Sequence, residues 1–598
     1  MQLIMKKITL AMLALALSTG LSAEIVKLNG LYYSLGTTTA QVVADQSSGK
    51  TFYPTYTTVT IPASVTYNSN TYTVTSIGTS AFEACSELQS VSLPTSVITI
   101  NTDAFWGCTK LTNVTLHEGL TSIGQRAFYN CKLTSVTIPS TVTSIGNGAF
   151  KSNPLVSVVW LPKNCSIGTD DSAPFYNTNS QITSFTFGEN VETVPAYICK
   201  HMSKLDTVVL PPSVKALGES AFMYCSSLKS INLPVTQKTL PAHFLEGCNS
   251  LETIELPATL TAINTDAFYG CSKLANVTLH EGITTIAQRA FYNCKLTSVT
   301  IPGTVTSIGN GAFKGNPLVS VVWLPKNCSI GTDESAPFYN TNSQITSFTF
   351  GDSVQVVPAY LCKYMSLLDT IVLPPTVTSV GQSAFMYCSS LKSMEFPKGV
   401  TSLAVGVLEG CTALQSVIIP STVTAINTDA LYGCSGLQEI HNYAFTPQAI
   451  VERTVHNVNK STCILYVPMD YIDLYQAADV WKEFYNIIGV ATDLQFEDKI
   501  IPVTYLKQDS TTFYMDAQTW AVPHEPRVPG FTFIGWQVKA GMLEDGIVLQ
   551  AVYQSNDPTN TSDVVVNPAN KAQKLIRQGN VYILQDDKIY TLQGQRVQ

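Results

Sequence analysis

Apolar and polar residues alternate in short bursts along this chain, and the bursts return at a near-constant interval. In CKLTSVTIPSTVTSIGNGAF, Cys131 to Phe150, Val136 and Ile138 fall on one side and Ser135 and Thr137 on the other, the period-two pattern of a half-buried strand. Pro139 then closes the strand before the next corner. An Ala-Phe or similar pair marks each unit, its second residue falling at Phe82, Phe105, Phe128, Phe150, Phe175, Ile198, Phe222, Phe244, Phe268, Phe291, Phe313, Phe338, Leu361, Phe385, Leu408 and Leu431. These sixteen units, spaced 22 to 25 residues apart, predict a solenoid, because no such unit can bury its apolar side until its neighbours stack on it. One strand per turn, repeated in register, predicts a parallel sheet.

A longer period lies over the short one. Asn101–Lys200 reappears almost unchanged as Asn264–Lys363, 163 residues further on, and a third copy opens with INTDALYGC at Ile426. Seven turns were therefore duplicated as a block. Extension of this kind lengthens a contact surface far more readily than it builds a single reaction centre.

The motif LxSVxIPxxVTSIGxxAFxxC, carried in register from about Val74 to Glu439, resembles the BspA-type leucine-rich repeats of bacterial surface proteins. That resemblance implies a mainly β repeat solenoid, weakly curved, with one parallel strand per turn of about 23 residues. It also implies no chemistry of its own, no cofactor, and adhesion to host proteins or other cells. At about 4.8 Å between strands, sixteen turns would give an arc roughly 75 Å long.

Residues 1–23 read as a secretory signal peptide, with Lys6 and Lys7 as its charged start, Ile8–Leu17 as its apolar run and Ser22-Ala23 before the cut. No later stretch reaches the roughly 20 apolar residues that a membrane-spanning helix needs. The expected protein is exported, secreted or held at the cell surface in association with the outer membrane. Residues 24–73 are expected to form an N-terminal β cap, 74–441 the solenoid, and 442–490 its C-terminal cap. In that last cap a strand, Cys463–Val467, leads into a helix carrying Tyr475, Ala478, Trp481 and Phe484. Residues 494–554, with PxxPGFTFxGW and a later AxY, resemble an internalin-type B-repeat, a small β-rich module with Trp536 and Tyr553 in its core. A polar linker, 555–570, precedes a β tail, 571–598, which alternates around Gln578-Gly579-Asn580 and Gln585-Asp586-Asp587. The tail is similar to C-terminal segments of secreted Bacteroidetes proteins, some of which are sorting signals for type IX secretion; a plain terminal β module is the alternative.

Charge narrows the partners. The chain has 598 residues, 34 basic against 42 acidic, for a net charge of −8, and only 13% are charged, against roughly 25% in an ordinary soluble domain. With no basic block to track a phosphate backbone, nucleic acid is excluded as a partner.

Fifteen cysteines in an exported chain would ordinarily signal disulfides, but their spacing argues otherwise. Cys85, Cys108, Cys131, Cys225, Cys271, Cys294, Cys388, Cys411 and Cys434 each follow the Phe or Leu of the pair by three residues. Stacking puts them about 4.8 Å apart with parallel side chains, so their Cβ atoms stay beyond the usual 3.5–4.5 Å of a disulfide. A reduced, buried ladder is expected, while a disulfide among Cys165, Cys328 and Cys463, which lie off it, stays open. No C-x-x-C or paired-histidine spacing marks a metal site. His117-Glu118-Gly119 and its copy His280-Glu281-Gly282 do not extend to HExxH and read as solvated turns. No GxSxG or phosphate-binding glycine loop occurs. Asp170-Asp171 and Asp333-Glu334 are adjacent on loops rather than opposed across a cleft, so no glycosidase pair is expected. The chain is read as no enzyme.

What remains is the outward strand face. Its residues are small, neutral and hydroxyl- or amide-bearing: Asn113, Thr115, Ser135, Thr137, Ser157, Ser184, Thr186, and then Asn276, Thr278, Ser298, Thr300, Ser320, Ser347 and Thr349. Such residues suit a solvated parallel sheet on structural grounds alone, and they equally make a flat hydrogen-bonding face. The functional expectation is adhesion through that face to host extracellular-matrix or other surface proteins. A surface glycan-binding or structural surface-layer protein is the alternative, weakened by the lack of aromatic platforms among these positions.

Overall fold

The structure, a computed structural model, describes residues 24–44, 53, 55–176 and 178–490 in full, and beyond these the backbone of strands between Gln495 and Val597. The expected signal peptide, residues 556–570 of the expected linker, and the side chains of Trp536 and Tyr553 lie outside the described residues. The chain divides into two units, the first running to Leu465 and taking in Ala477–Asn486, the second comprising Tyr466–Gln476 and everything from Ile487.

The first unit is a β-solenoid of about 18 turns with parallel strands about 23 residues apart. Strands of the expected kind pair in register, Ser135 with Ser157 and Ser157 with Ser184, and again Ser298 with Ser320 and Ser320 with Ser347. The structure adds a second ladder of two-residue strands further along each turn, where Ile100, Ile123 and Ile145 align. At some corners after these strands the stacking leaves no room for a side chain: a Cβ on Gly146 would lie 2.3 Å from the Gln125 nitrogen of the preceding turn.

At the next corner the backbone of each turn hands a hydrogen bond to the one after it. Phe105 N donates to Ala127 O at 2.8 Å, and Phe128 N to Ala149 O at 2.8 Å. The same bond fixes the frame where the sequence is ambiguous. Cys199 N donates to Ala221 O, Leu245 N to Ala267 O, and Cys362 N to Ala384 O. In those three turns the aromatic position is therefore held by Cys199, Leu245 and Cys362, one residue after Ile198, Phe244 and Leu361, which occupy the alanine position instead. Cys248 joins the cysteine column as a result, and Asn153, Thr178, Met202, Asn316, Thr341 and Met365 take the same place in their turns.

The core is a stack of rings. Tyr53, Phe82, Phe105, Phe128, Phe150 and Phe175 follow one another at 5.1 to 5.6 Å, and the copy repeats this with Phe268, Phe291, Phe313 and Phe338. The small Cys199 interrupts the column, and two residues of the adjacent strand turn in around it: Phe185 packs 6.1 Å from Phe175, and Phe187 packs 6.4 Å from Phe222. Phe348 and Phe350 do the same around Cys362.

At the amino end, antiparallel strands Glu24–Leu28, Leu31–Leu35 and Thr39–Val43 extend the short-strand ladder, the last pairing in parallel with Asn70–Ile77. Thr58–Thr60 already pairs with Ser90–Ser92, so the long-strand ladder starts before Val74. At the other end the corner bonds run past His441: Leu431 N donates to Thr454 O, which places Val455, fully buried, at the foot of the ring column. Trp481 closes this end, its indole N–H donating to Gln448 O at 2.9 Å. The expected single helix through Tyr475, Ala478, Trp481 and Phe484 does not form. A helix covers only Ile472–Ala477, because Val480 takes a left-handed φ of 67° and a separate short turn, Trp481–Glu483, follows.

In the second unit, Phe531–Val538 pairs with Ile547–Ser555, and Ile547 pairs in turn with Ile576 of Gln573–Arg577. The meander continues through Asn580–Gln585 and Lys588–Thr591. Phe531–Val538 and Ile547–Ser555 thus share one antiparallel sheet with the strands of the tail, whereas Gln495–Phe496 pairs with Lys499–Ile500 apart from it.

Candidate binding face

Alternation along each long strand decides which side chains meet solvent. Val136 and Ile138 are buried, and Ser135 and Thr137 are exposed. Parallel pairing in register then stacks like on like, so Ser135, Ser157 and Ser184 form one column and Thr137, Val159 and Thr186 the next. Their copies Ser298, Ser320, Ser347 and Thr300, Val322, Thr349 repeat both columns. Asn113 and Thr115, and likewise Asn276 and Thr278, occupy the same places in their own turns and are exposed. All fourteen expected residues thus lie on the long-strand face, Ser157 and Ser320 half-buried and the others exposed.

None of the fourteen side chains exchanges a hydrogen bond with another protein group among the described residues. Hydroxyls elsewhere behave differently. Thr143 Oγ1 donates to Thr121 O at 3.2 Å, Thr284 to Thr261 O at 3.1 Å and Thr306 to Thr284 O at 3.2 Å, each tying its turn to the one before. These fourteen residues therefore keep their donors and acceptors for solvent or a ligand, whereas Asn232 on the same face bonds both backbone groups of Leu210 and the threonines of the short-strand corner spend their hydroxyls inside the fold. Apolar spots interrupt the face at Val209, 69% exposed, and its counterpart Val372, 74% exposed.

Four of the remaining carboxylates make contacts within the fold. Asp170 pairs with Lys200, and Asp333 with Lys363. Glu118 accepts from Ser140 N at 3.0 Å and Ser140 Oγ at 2.8 Å. Partial burial acts against its charge, but hydrogen bonds from Ser140 and Thr141 outweigh this and hold the carboxyl below its ordinary value. Glu281 accepts from the backbone of Gly303 and Thr304 in the same manner. All fifteen cysteines are buried thiols, and Cys131 Sγ donates to Phe105 O at 3.2 Å, a contact repeated up the column.

Two features escaped the sequence reading. The first is a set of partly exposed rings at the corner just past the core aromatics: Tyr269 stacks on Tyr292 at 5.0 Å, His201 on Tyr224 at 4.9 Å and Tyr364 on Tyr387 at 5.1 Å. Recurrence of Trp or Tyr directly after Phe, as in AFWGC and AFYNC, was the available signal. The second is a cluster of His243, Glu246 and Asp266 at the same corner.

Short strands about 23 residues apart, an inward apolar column and a solvated strand face define a leucine-rich repeat protein. A family model described as the BspA type leucine rich repeat region matches in six copies, over residues 75–205, 192–320, 238–367 and 329–450. The chain belongs to this family. Among solved structures it is similar to a leucine-rich repeat protein from Bacteroides ovatus, at 25% identity over 70% of this chain and 94% of that one, with a TM-score of 0.42. A leucine rich cell surface protein from Faecalibacterium prausnitzii matches at 20% identity over 73% and 93%, with a TM-score of 0.24. The pneumococcal vaccine antigen PcpA matches at 16% over 78% and 98%, with a TM-score of 0.25. No curated protein matches the chain. Among the described residues no helix is long and apolar enough to cross a membrane.

Proposed function

We propose that this chain is a secreted or cell-surface adhesion protein that contacts host extracellular-matrix or other surface proteins through its long-strand face. The observation that carries this reading is the set of fourteen small polar side chains on one solvated face with no partner within the described protein. Family membership supports a surface role and a repeat scaffold rather than an enzyme. A protein ligand is favoured over a glycan because the rings that could stack on sugars sit at the corner past the core aromatics, not among the strand residues.

The test is solid-phase binding of the chain lacking residues 1–23 to a panel of matrix proteins, mucins and glycans, beside a variant with Ser135→Glu, Thr137→Glu, Ser298→Glu and Thr300→Glu. Saturable binding to a protein, lost in the variant while its circular dichroism is unchanged, supports the proposal. Binding that survives the four substitutions, or binding to glycans alone, overturns it.

A further inference from the structure

We infer that His243, Glu246 and Asp266 form a binding site for one Zn²⁺ ion. The three come from two adjacent turns. Stacking brings Asp266 beside His243, 23 residues earlier, and one ligand atom of each residue lies within 4.8 Å of the other two. His243 Nδ1 is 2.6 Å from Glu246 Oε2 and 3.7 Å from Asp266 Oδ2. Zinc bonds of about 2.0–2.2 Å to nitrogen and oxygen require ligand atoms about 3.3–3.5 Å apart, so the two His243 distances need sub-ångström shifts and the Glu246–Asp266 pair, within 4.8 Å, needs the carboxylates to draw in. The ion would take the place of the hydrogen bond between Nδ1 and Oε2.

Each carboxylate has one oxygen held by an orienting donor, and in Asp266 it is the same Oδ2 that lies nearest His243. Tyr224 Oη donates to Glu246 Oε1 at 2.8 Å, and Arg289 Nη2 donates to Asp266 Oδ2 at 2.6 Å. Asp266 has a side chain only 2% exposed, and its Oδ1 has no hydrogen-bond partner. Arg289 meets the charge through Oδ2 alone, and leaving the other buried oxygen unmatched costs free energy that a metal ion bound by this carboxylate would recover. Orienting partners of this kind are a regular accompaniment of metal ligands. His243 is 32% exposed, which gives the ion a path in and leaves room for water as a fourth ligand.

The block duplication provides an internal comparison. At the corresponding places the first copy has Ser80, Glu83 and Asp103, and the third has Gly406, Glu409 and Asp429. Both keep the carboxylates and lack the histidine. In the first copy Arg126 also occupies both oxygens of Asp103, at 2.8 and 2.7 Å. The site is thus specific to the middle copy.

The experiment uses the chain lacking residues 1–23, free of any histidine tag and stripped with chelator, titrated calorimetrically with Zn²⁺. One equivalent is expected to bind. His243→Ser, which installs the residue of the first copy, should abolish binding without lowering the melting temperature of the metal-free protein. Tyr224→Phe should weaken binding about 10-fold. Substitution with Co²⁺ should give visible ligand-field bands without the near-ultraviolet charge-transfer band of a thiolate ligand. No stoichiometric binding, binding that persists in His243→Ser, or a cobalt–thiolate band would each overturn the assignment.

Discussion

Asn153 Nδ2 donates to the carbonyl of Phe128 at 2.7 Å, the acceptor position that a cysteine thiol fills from the next turn elsewhere in the solenoid. The amide does more than the thiol. It also donates to Phe150 O at 2.9 Å, and its Oδ1 accepts from Leu133 N at 3.1 Å. Asn316 repeats the arrangement with Phe291, Phe313 and Leu296.

Asn153→Ala leaves three buried backbone groups unmatched, at about 1–3 kcal/mol each before relaxation, and should lower stability by about 3 kcal/mol or more in urea unfolding. Asn153→Cys restores the donor to Phe128 O and should lose distinctly less. Equal losses for the two variants would show that the hydrogen bonds are not what matters.

The ring column predicts matched effects in the two copies. Phe128 and Phe291 are both fully buried between rings at 5.1 to 5.4 Å, so Phe128→Ala and Phe291→Ala should each cost roughly 3–5 kcal/mol. Unfolding midpoints measured side by side check this, and two silent substitutions would contradict the inward assignment.

Restoring the apparent consensus should do harm at Cys199. Phe185 and Phe187 already occupy the space beside it, so Cys199→Phe overpacks the turn and should destabilise by about 1–3 kcal/mol. The same holds for Cys362→Phe against Phe348 and Phe350. A rise in melting temperature in either variant would mean that the gap is real.

Burial pushes the thiols of Cys85, Cys165, Cys225, Cys328 and Cys463 up to about 12, against about 8.5 in an unfolded chain. Because the folded values are the higher ones, this contribution to stability is complete below about pH 8.5 and is lost as pH rises from there towards 12. The urea midpoint should therefore fall steadily between pH 8.5 and 10.5. A thiol reagent at pH 8 should modify none of the fifteen cysteines in the native protein and all of them in denaturant.

The repeat was legible because Phe128, Phe150 and Cys131 each recur where a stacked turn needs them. The frame slipped at Ile198, Phe244 and Leu361 because the aromatic pair was used to locate it. The spacing of five from the short strand, Val194 to Cys199 and Leu240 to Leu245, marks the frame better, and only the two longer turns, Ile167 to Phe175 and Ile330 to Phe338, stretch it to eight. Strands of two residues, such as Ser144-Ile145, are too short to show alternation, which hid the second ladder. Tyr475 to Phe484 has helical spacing, but a periodic pattern cannot report the left-handed φ at Val480. The strand face was readable because its residues repeat within a turn. The His243 cluster was not, because its members are joined only when separate turns stack.

The block duplication also sets a distance. Each of the fourteen face residues pairs with a twin 163 residues away, Ser135 with Ser298 and Thr186 with Thr349, seven turns along the same sheet side. At about 4.8 Å per turn the twins stand roughly 34 Å apart. The solenoid is therefore a ruler with two equal marks. If the face binds as proposed, a polymeric or oligomeric ligand that presents one epitope at that spacing would attach the second time as an intramolecular event, at an effective concentration in the millimolar range. Weak single contacts then add up to firm attachment, and a monomeric fragment of the same ligand gains none of that avidity.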